Sequence, residues 1–244
     1  MKAFAVIGFS KSGKTALIEH IVKELKSRSY SVATIKHVHG KKRIDLADKD
    51  TWRHVKAGSD LTIAISDSET LEVKPVKTEL WKALWKLSKF DFVVLEGFKT
   101  EFYGVKIAVV RDLEEANDLL DPLVIAFTGK LAEEVKEING IPVVRNIEAI
   151  IDLVEKKAFA PPAGLNCGRC KYGNCTELAI AILRGQAGVK DCLYITPEVK
   201  LIVNGSEVKL NSFTSSIFRN VIFGLISSLK GIDTPYEIKV EIKL

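Results

Sequence analysis

Two spacings of apolar residues alternate along the first 157 positions. Short runs dominated by apolar residues stand at 3–8 (AFAVIG), 31–36 (SVATIK), 61–66 (LTIAIS), 91–95 (DFVVL), 105–110 (VKIAVV), 123–127 (LVIAF) and 142–144 (PVV). Runs of this length, rich in Val, Ile and Phe and bounded by turn residues, predict strands. The stretches 14–28, 49–57, 77–88, 130–138 and 146–157 carry apolar residues at helical spacing, and Gly58 closes the second. Apolar strands alternating with helices predict a mostly parallel sheet with helices on both faces.

The pattern changes at 158–164, AFAPPAG, where two prolines and a glycine end the helix and predict a domain boundary. Beyond it the tail predicts a small α+β unit. VKLIV and SEVKL flank Asn204-Gly205, a hairpin signal because both central residues of a type I′ turn need positive φ. Residues 212–229 form a broadly apolar helix, and YEIKVEIKL alternates like a strand. So small a unit barely covers that much apolar surface, which predicts packing against another domain or subunit. Three units are expected: 1–157, 158–195 and 196–244.

The chain has 244 residues, is 47% hydrophobic and 27% charged, and carries a net charge of +5. That composition supports a folded core. The basic excess suits an anionic ligand but is too small and dispersed to argue for nucleic acid. No apolar run reaches membrane-spanning length, so a cytoplasmic protein without a membrane partner is expected. In that compartment clustered cysteines favour metal or redox chemistry over disulfides.

Gly8-Phe9-Ser10-Lys11-Ser12-Gly13-Lys14-Thr15 matches G-x-x-x-x-G-K-S/T between a predicted strand and a predicted helix. Such a loop turns its amide groups toward phosphate oxygens, and the helix N-terminus adds positive potential. Lys14 is expected on the β- and γ-phosphates and Thr15 on magnesium. The fold class becomes a P-loop NTPase-type α/β sheet. FVVLEGFK places Glu96 just past a buried strand, where a second magnesium-holding carboxylate belongs. Asp91, at the other end of that strand, reads as a solvated cap. The segment HVHGKKRIDLADKDTWR contains His37, His39, Lys41, Lys42 and Arg43 and then Asp45, Asp48 and Asp50. It reads either as a loop that closes over phosphates or as a solvated charged loop. No N/T-K-x-D motif follows the last strands, so these residues predict a magnesium–nucleotide binder of unknown base.

GFSKSGKT, TIKH at 34–37, DLADKDTWRHVKAG at 45–58 and VVLEGFK at 93–99 together resemble molybdopterin-guanine dinucleotide biosynthesis protein B (MobB) over roughly residues 1–155. Ala47 and Asp48 stand where that family usually has Pro-Gly. The resemblance implies GTP with Mg2+ as ligand, weak hydrolysis assigned to Glu96, and a homodimer. It implies a partner nucleotidyltransferase of the MobA type. Asp45 and Arg53 would belong to the ligand-facing loop.

Cys167, Cys170, Cys175 and Cys192 are spaced C-x2-C-x4-C-x16-C, three close together and one distant. One thiolate per iron of a 4Fe–4S cluster fits this spacing. Structural zinc, which favours two close pairs, is the runner-up. NCGRCKYGNCTELAIAILRG is also similar to the small iron–sulfur domain of corrinoid iron–sulfur proteins and of Rnf electron-transfer complexes; Ala179, Ala181, Ile182 and Gly185 match, and Lys171 replaces a usual glycine. The combined expectation is a GTP-binding accessory protein of molybdenum or tungsten cofactor synthesis carrying a cluster. A molybdoenzyme or electron-transfer protein is a further expected partner. The alternative is a nucleotide-gated electron-transfer protein.

Overall fold

The computed structural model describes residues 1–38, 40, 50–195, 199–208, 210, 212–230 and 238–242. Its centre is a five-stranded parallel sheet. Strands β1 (Lys2–Gly8), β2 (Val32–Lys36), β5 (Phe92–Glu96), β6 (Val105–Val109) and β7 (Val124–Thr128) stand in the order β2-β5-β1-β6-β7. The phosphate-type loop therefore leaves the middle strand, where neighbouring connections run to opposite sides.

Alternate residues of β1 serve the two faces. Phe4 and Val6 join Ile18, Ile21 and Leu25 of helix α1 (Lys14–Ser27) and Ile150, Ile151 and Val154 of α5 (Ile147–Lys157). Ala3, Ala5 and Ile7 join Leu84 of α3 (Leu80–Lys86) and Ala116 of α4 (Leu113–Asp118). Each large apolar side chain so buried contributes about 1.5–3 kcal/mol. Helix α5 starts where Asn146 Oδ1 accepts the Glu148 N–H at 2.7 Å. Lys106, on β6 in the middle of an otherwise apolar run, is 3% exposed; its ammonium donates to the Lys99 carbonyl and to Asp121.

Helix α2 (Asp50–Lys56) lies within its expected span. The expected strand at 61–66 is not part of the parallel sheet. Thr62–Ile65 (β3) pairs antiparallel with Thr70–Val73 (β4) as a separate hairpin. Ile63 and Ile65 are exposed, 52% and 79%, so the apolar run builds a ribbon and not a core strand. The expected helix at 130–138 is also corrected. One 3-10 turn at Lys130–Glu133 gives way to a second hairpin, β8 (Glu137–Ile138) and β9 (Ile141–Pro142). Its turn residues Asn139 and Gly140 have φ of 51° and 79°, the pairing that Asn-Gly favours.

After α5 the chain stays against the sheet. Ala158 is buried, the Phe159 carbonyl accepts the Ala3 N–H at 3.0 Å, and Pro161, Pro162 and Ala163 are buried. Helix α6 (Cys175–Leu183) follows, then a 3-10 turn at Val189–Asp191. The tail forms the expected hairpin, β10 (Leu201–Val203) and β11 (Ser206–Val208), with Asn204 and Gly205 at φ 51° and 78°. Helix α7 (Ser212–Ser227) completes it; residues 238–242, expected to form a strand, are in neither strand nor helix. Phe223 meets Trp85 of α3 edge-on at 5.5 Å, while Phe213, Val221 and Leu225 are exposed. No helix among the described residues is long and apolar enough to cross a membrane.

Candidate functional site

The carboxyl ends of β1, β2 and β5 surround a cavity of about 500 Å³ that the Gly8–Thr15 loop floors. Gly8 has no room for a side chain: a Cβ there would stand 2.7 Å from the Val109 carbonyl oxygen. Gly13, at φ 93°, opens α1 without a side-chain cap, so the first amides of the helix are not spent on one. Gly8, Ser10, Lys11, Ser12, Gly13, Lys14 and Thr15 all line the cavity.

The Lys14 ammonium folds back onto the Phe9 carbonyl and lies 3.5 Å from Ser12 Oγ. Burial holds its pKa below the usual lysine range; Glu96 opposes that shift, and Lys99 and Lys36 reinforce it. Thr15 and Glu96, eighty-one positions apart, come together: Thr15 Oγ1 donates to Glu96 Oε1 at 3.0 Å. This hydroxyl–carboxylate pair, beside a lysine at a helix N-terminus, is a donor set of hard oxygens that suits Mg2+.

Lys36 and Lys99 belong to this neighbourhood, although sequence reasoning did not single them out. The Lys36 ammonium is 3.1 Å from Glu96 Oε1, and Lys99 Nζ stands 3.9 Å from the centre of the Phe9 ring. The available signal was their position, at and just beyond the carboxyl ends of two sheet strands. His37 lines the cavity and stacks on Phe98 at 4.6 Å. Arg53 is on α2 beside Asp50, at 3.7 Å, and is not a lining residue of the cavity. Asp45, His39, Lys41, Lys42, Arg43 and Asp48 lie outside the described residues.

None of the four cysteines is paired in a disulfide. Cys175 and Cys192 are buried; Cys192 sits in a small apolar cluster with Ala163 and Leu178, against which Cys170 packs, and Cys167 is exposed. Burial pushes the Cys175 thiol up, while backbone N–H groups of Asn166 and Gly164 work against the shift. Asn166 holds the site together: its N–H points at Cys175 Sγ at 3.4 Å, and its Oδ1 accepts the Cys175 N–H at 3.0 Å. Its Nδ2 donates to the Tyr103 hydroxyl at 2.8 Å, on the loop that follows Glu96. Four soft sulfurs, one of them facing a backbone donor, fit the ligand chemistry of an iron–sulfur cluster or zinc. Among the described residues no three His, Cys, Asp or Glu side chains converge closely enough to hold a metal ion.

Residues 3–130 match the family model for "Molybdopterin guanine dinucleotide synthesis protein B" (MobB). A "Putative molybdopterin-guanine dinucleotide biosynthesis adapter protein" of Methanocaldococcus jannaschii is 34% identical over 99% of this chain and 97% of its own length. The chain belongs to the MobB family. A molybdopterin-guanine dinucleotide biosynthesis adapter protein of Haemophilus influenzae is 31% identical over 56% of this MobB-family chain and 82% of its own. The crystal structure of Bacillus subtilis MobB has the same fold, with a TM-score of 0.54 and 23% identity over 63% of this chain and 98% of that one. Residues 163–194 match a second family model, described as "Putative Fe-S cluster". That match includes all four cysteines.

Proposed function

We propose that this MobB-family chain is a GTP-binding adapter of molybdopterin-guanine dinucleotide synthesis that carries a 4Fe–4S cluster. The Thr15–Glu96 pair carries the nucleotide half of this reading, because it brings a hydroxyl and a carboxylate together beside Lys14 in a cavity of about 500 Å³. The loop amides and Lys14 bind the phosphates, and Thr15 and Glu96 hold Mg2+, which neutralises phosphate charge when bound. Glu96 supports slow hydrolysis. Cys167, Cys170, Cys175 and Cys192 supply the cluster's ligands by drawing together from the more open arrangement of this structure, with Asn166 donating to one sulfur. The relatives' names support the adapter role; the partner proposed for it is a nucleotidyltransferase of the MobA type. Residues 1–157, 158–195 and 196–244 act as nucleotide, cluster and tail units of a cytoplasmic homodimer.

Two measurements test this. Oxygen-free purification followed by iron and sulfide analysis and EPR after dithionite should show a 4Fe–4S cluster; zinc in place of iron sinks that half. Competition of GTP against ATP with Mg2+ should favour GTP, and preference for ATP sinks the other. A second reading, nucleotide-gated electron transfer, is favoured by the Tyr103–Asn166–Cys175 chain of hydrogen bonds. A cluster potential that shifts when GTP is added selects it. Indifference to GTP, with binding to the nucleotidyltransferase, selects the adapter.

A further inference from the structure

Lys36 ends β2 directly beside Glu96, its register partner at the end of β5. Its ammonium is 3.1 Å from Glu96 Oε1, the same oxygen that accepts the Thr15 hydroxyl at 3.0 Å. The two side chains differ in freedom: that of Glu96 is 16% exposed and that of Lys36 is 57% exposed. A magnesium ion held by Thr15 and Glu96 through Oε1 would meet the oxygen on which the Lys36 ammonium and the Thr15 hydroxyl now converge. The carboxylate is anchored on a buried strand, and the lysine is at liberty to leave.

We infer that Lys36 is a built-in counter-ion for Glu96, occupying the metal's place on that carboxylate and released when Mg2+ arrives with the nucleotide. The inference rests on the magnesium–nucleotide reading of the cavity. Without a cation, Glu96 would face incoming phosphates as a bare negative charge; the ammonium removes that repulsion before the metal is present. Once displaced, its charge remains near the cavity, where it already lowers the Lys14 pKa. Lys36 is thus a positioning residue that sets how strongly the site demands metal.

The consequence is a pair of effects of opposite sign. In the full-length protein, Lys36→Met should bind Mn2+ in the presence of GTP about two- to fivefold more tightly than wild type, because the metal no longer competes with an ion-paired ammonium. The same variant should bind metal-free GTP, measured in EDTA, more weakly than wild type. Lys36→Arg should behave as wild type in both assays. Free Mn2+ is read by EPR and GTP binding by calorimetry, with unchanged circular dichroism as the check on folding. A variant that only disturbs the strand end would weaken both affinities together, and that result overturns the inference. Unchanged Mn2+ affinity in Lys36→Met does so as well and leaves the magnesium–nucleotide reading standing. Wild type that binds neither Mn2+ nor GTP removes that reading and the inference with it.

Discussion

Asn166 does three jobs at once, and substitutions separate them. Its backbone is left-handed, φ 46°, a conformation that Asn and Gly tolerate and Ala resists by about 1 kcal/mol. Its side chain makes two hydrogen bonds, from the Cys175 N–H and to the Tyr103 hydroxyl. The residue is exposed, so each bond falls at the low end of the usual range, about 0.5 kcal/mol. Asn166→Gly therefore costs about 1 kcal/mol, Asn166→Ala about 2, and Asn166→Asp about 0.5 or less, because a carboxylate keeps the acceptor and the tyrosine can turn to donate.

The place to read these costs is α6, which begins at Cys175. Amide hydrogen exchange at Leu178, Ala179 and Ala181 reports local opening of that helix. These free energies translate to rates faster than wild type by about fivefold for Gly, about thirtyfold for Ala and about twofold or less for Asp. Tyr103→Phe should raise the rate about twofold alone and add nothing to Asn166→Ala. Equal rates for Gly and Ala would refute the backbone part of this reasoning. Full additivity of Tyr103→Phe with Asn166→Ala would refute the hydrogen bond.

Gly8→Ala should be the more damaging of two glycine substitutions in the phosphate loop, because its Cβ meets the Val109 carbonyl, while the space around Gly13 is open and only its φ of 93° is strained. Urea midpoints at constant slope should show about 2–3 kcal/mol lost at Gly8 and about 1 at Gly13. Glu115 is 7% exposed and hydrogen-bonds the Arg111 guanidinium, which holds its pKa below the ordinary glutamate value. Its contribution is complete above about pH 4.3 and disappears as pH falls through the lowered folded value. Glu115→Gln should therefore be less stable than wild type at pH 7 in thermal unfolding, with the difference closing in acid.

The parallel sheet was legible because the interior positions of β1, β5 and β7 are apolar on both faces and β6 departs only at Lys106, and only burial between two helical layers explains such runs. LTIAIS misled because its apolar content matches those strands; that it pairs with Thr70–Val73 depends on the Ser66–Glu69 turn, whose N–H···O bond of 2.9 Å is local. Asn139-Gly140 did announce the second hairpin, but the charged helix-forming residues before it outweighed two-residue strands. In the site, Thr15 and Glu96 were readable because motif and strand end fix both positions. Lys36 and Lys99 were not, since a lysine at a strand end is ordinary until register places it beside a carboxylate or a ring. Asn166 was hidden for the same reason: its partner Tyr103 is sixty-three positions away.

Strand β1 is hydrogen-bonded to β5 and β6, covered on both faces, and tied at Ala3 to Phe159. Openings that exchange its amides must disrupt most of the sheet, whereas α7 can fray with little loss of buried surface. The Gly8–Thr15 loop is thus mounted on the strand that, among the described residues, should be the last to come apart. Heat or denaturant should strip the tail long before the cavity above Gly8–Thr15 loses its floor.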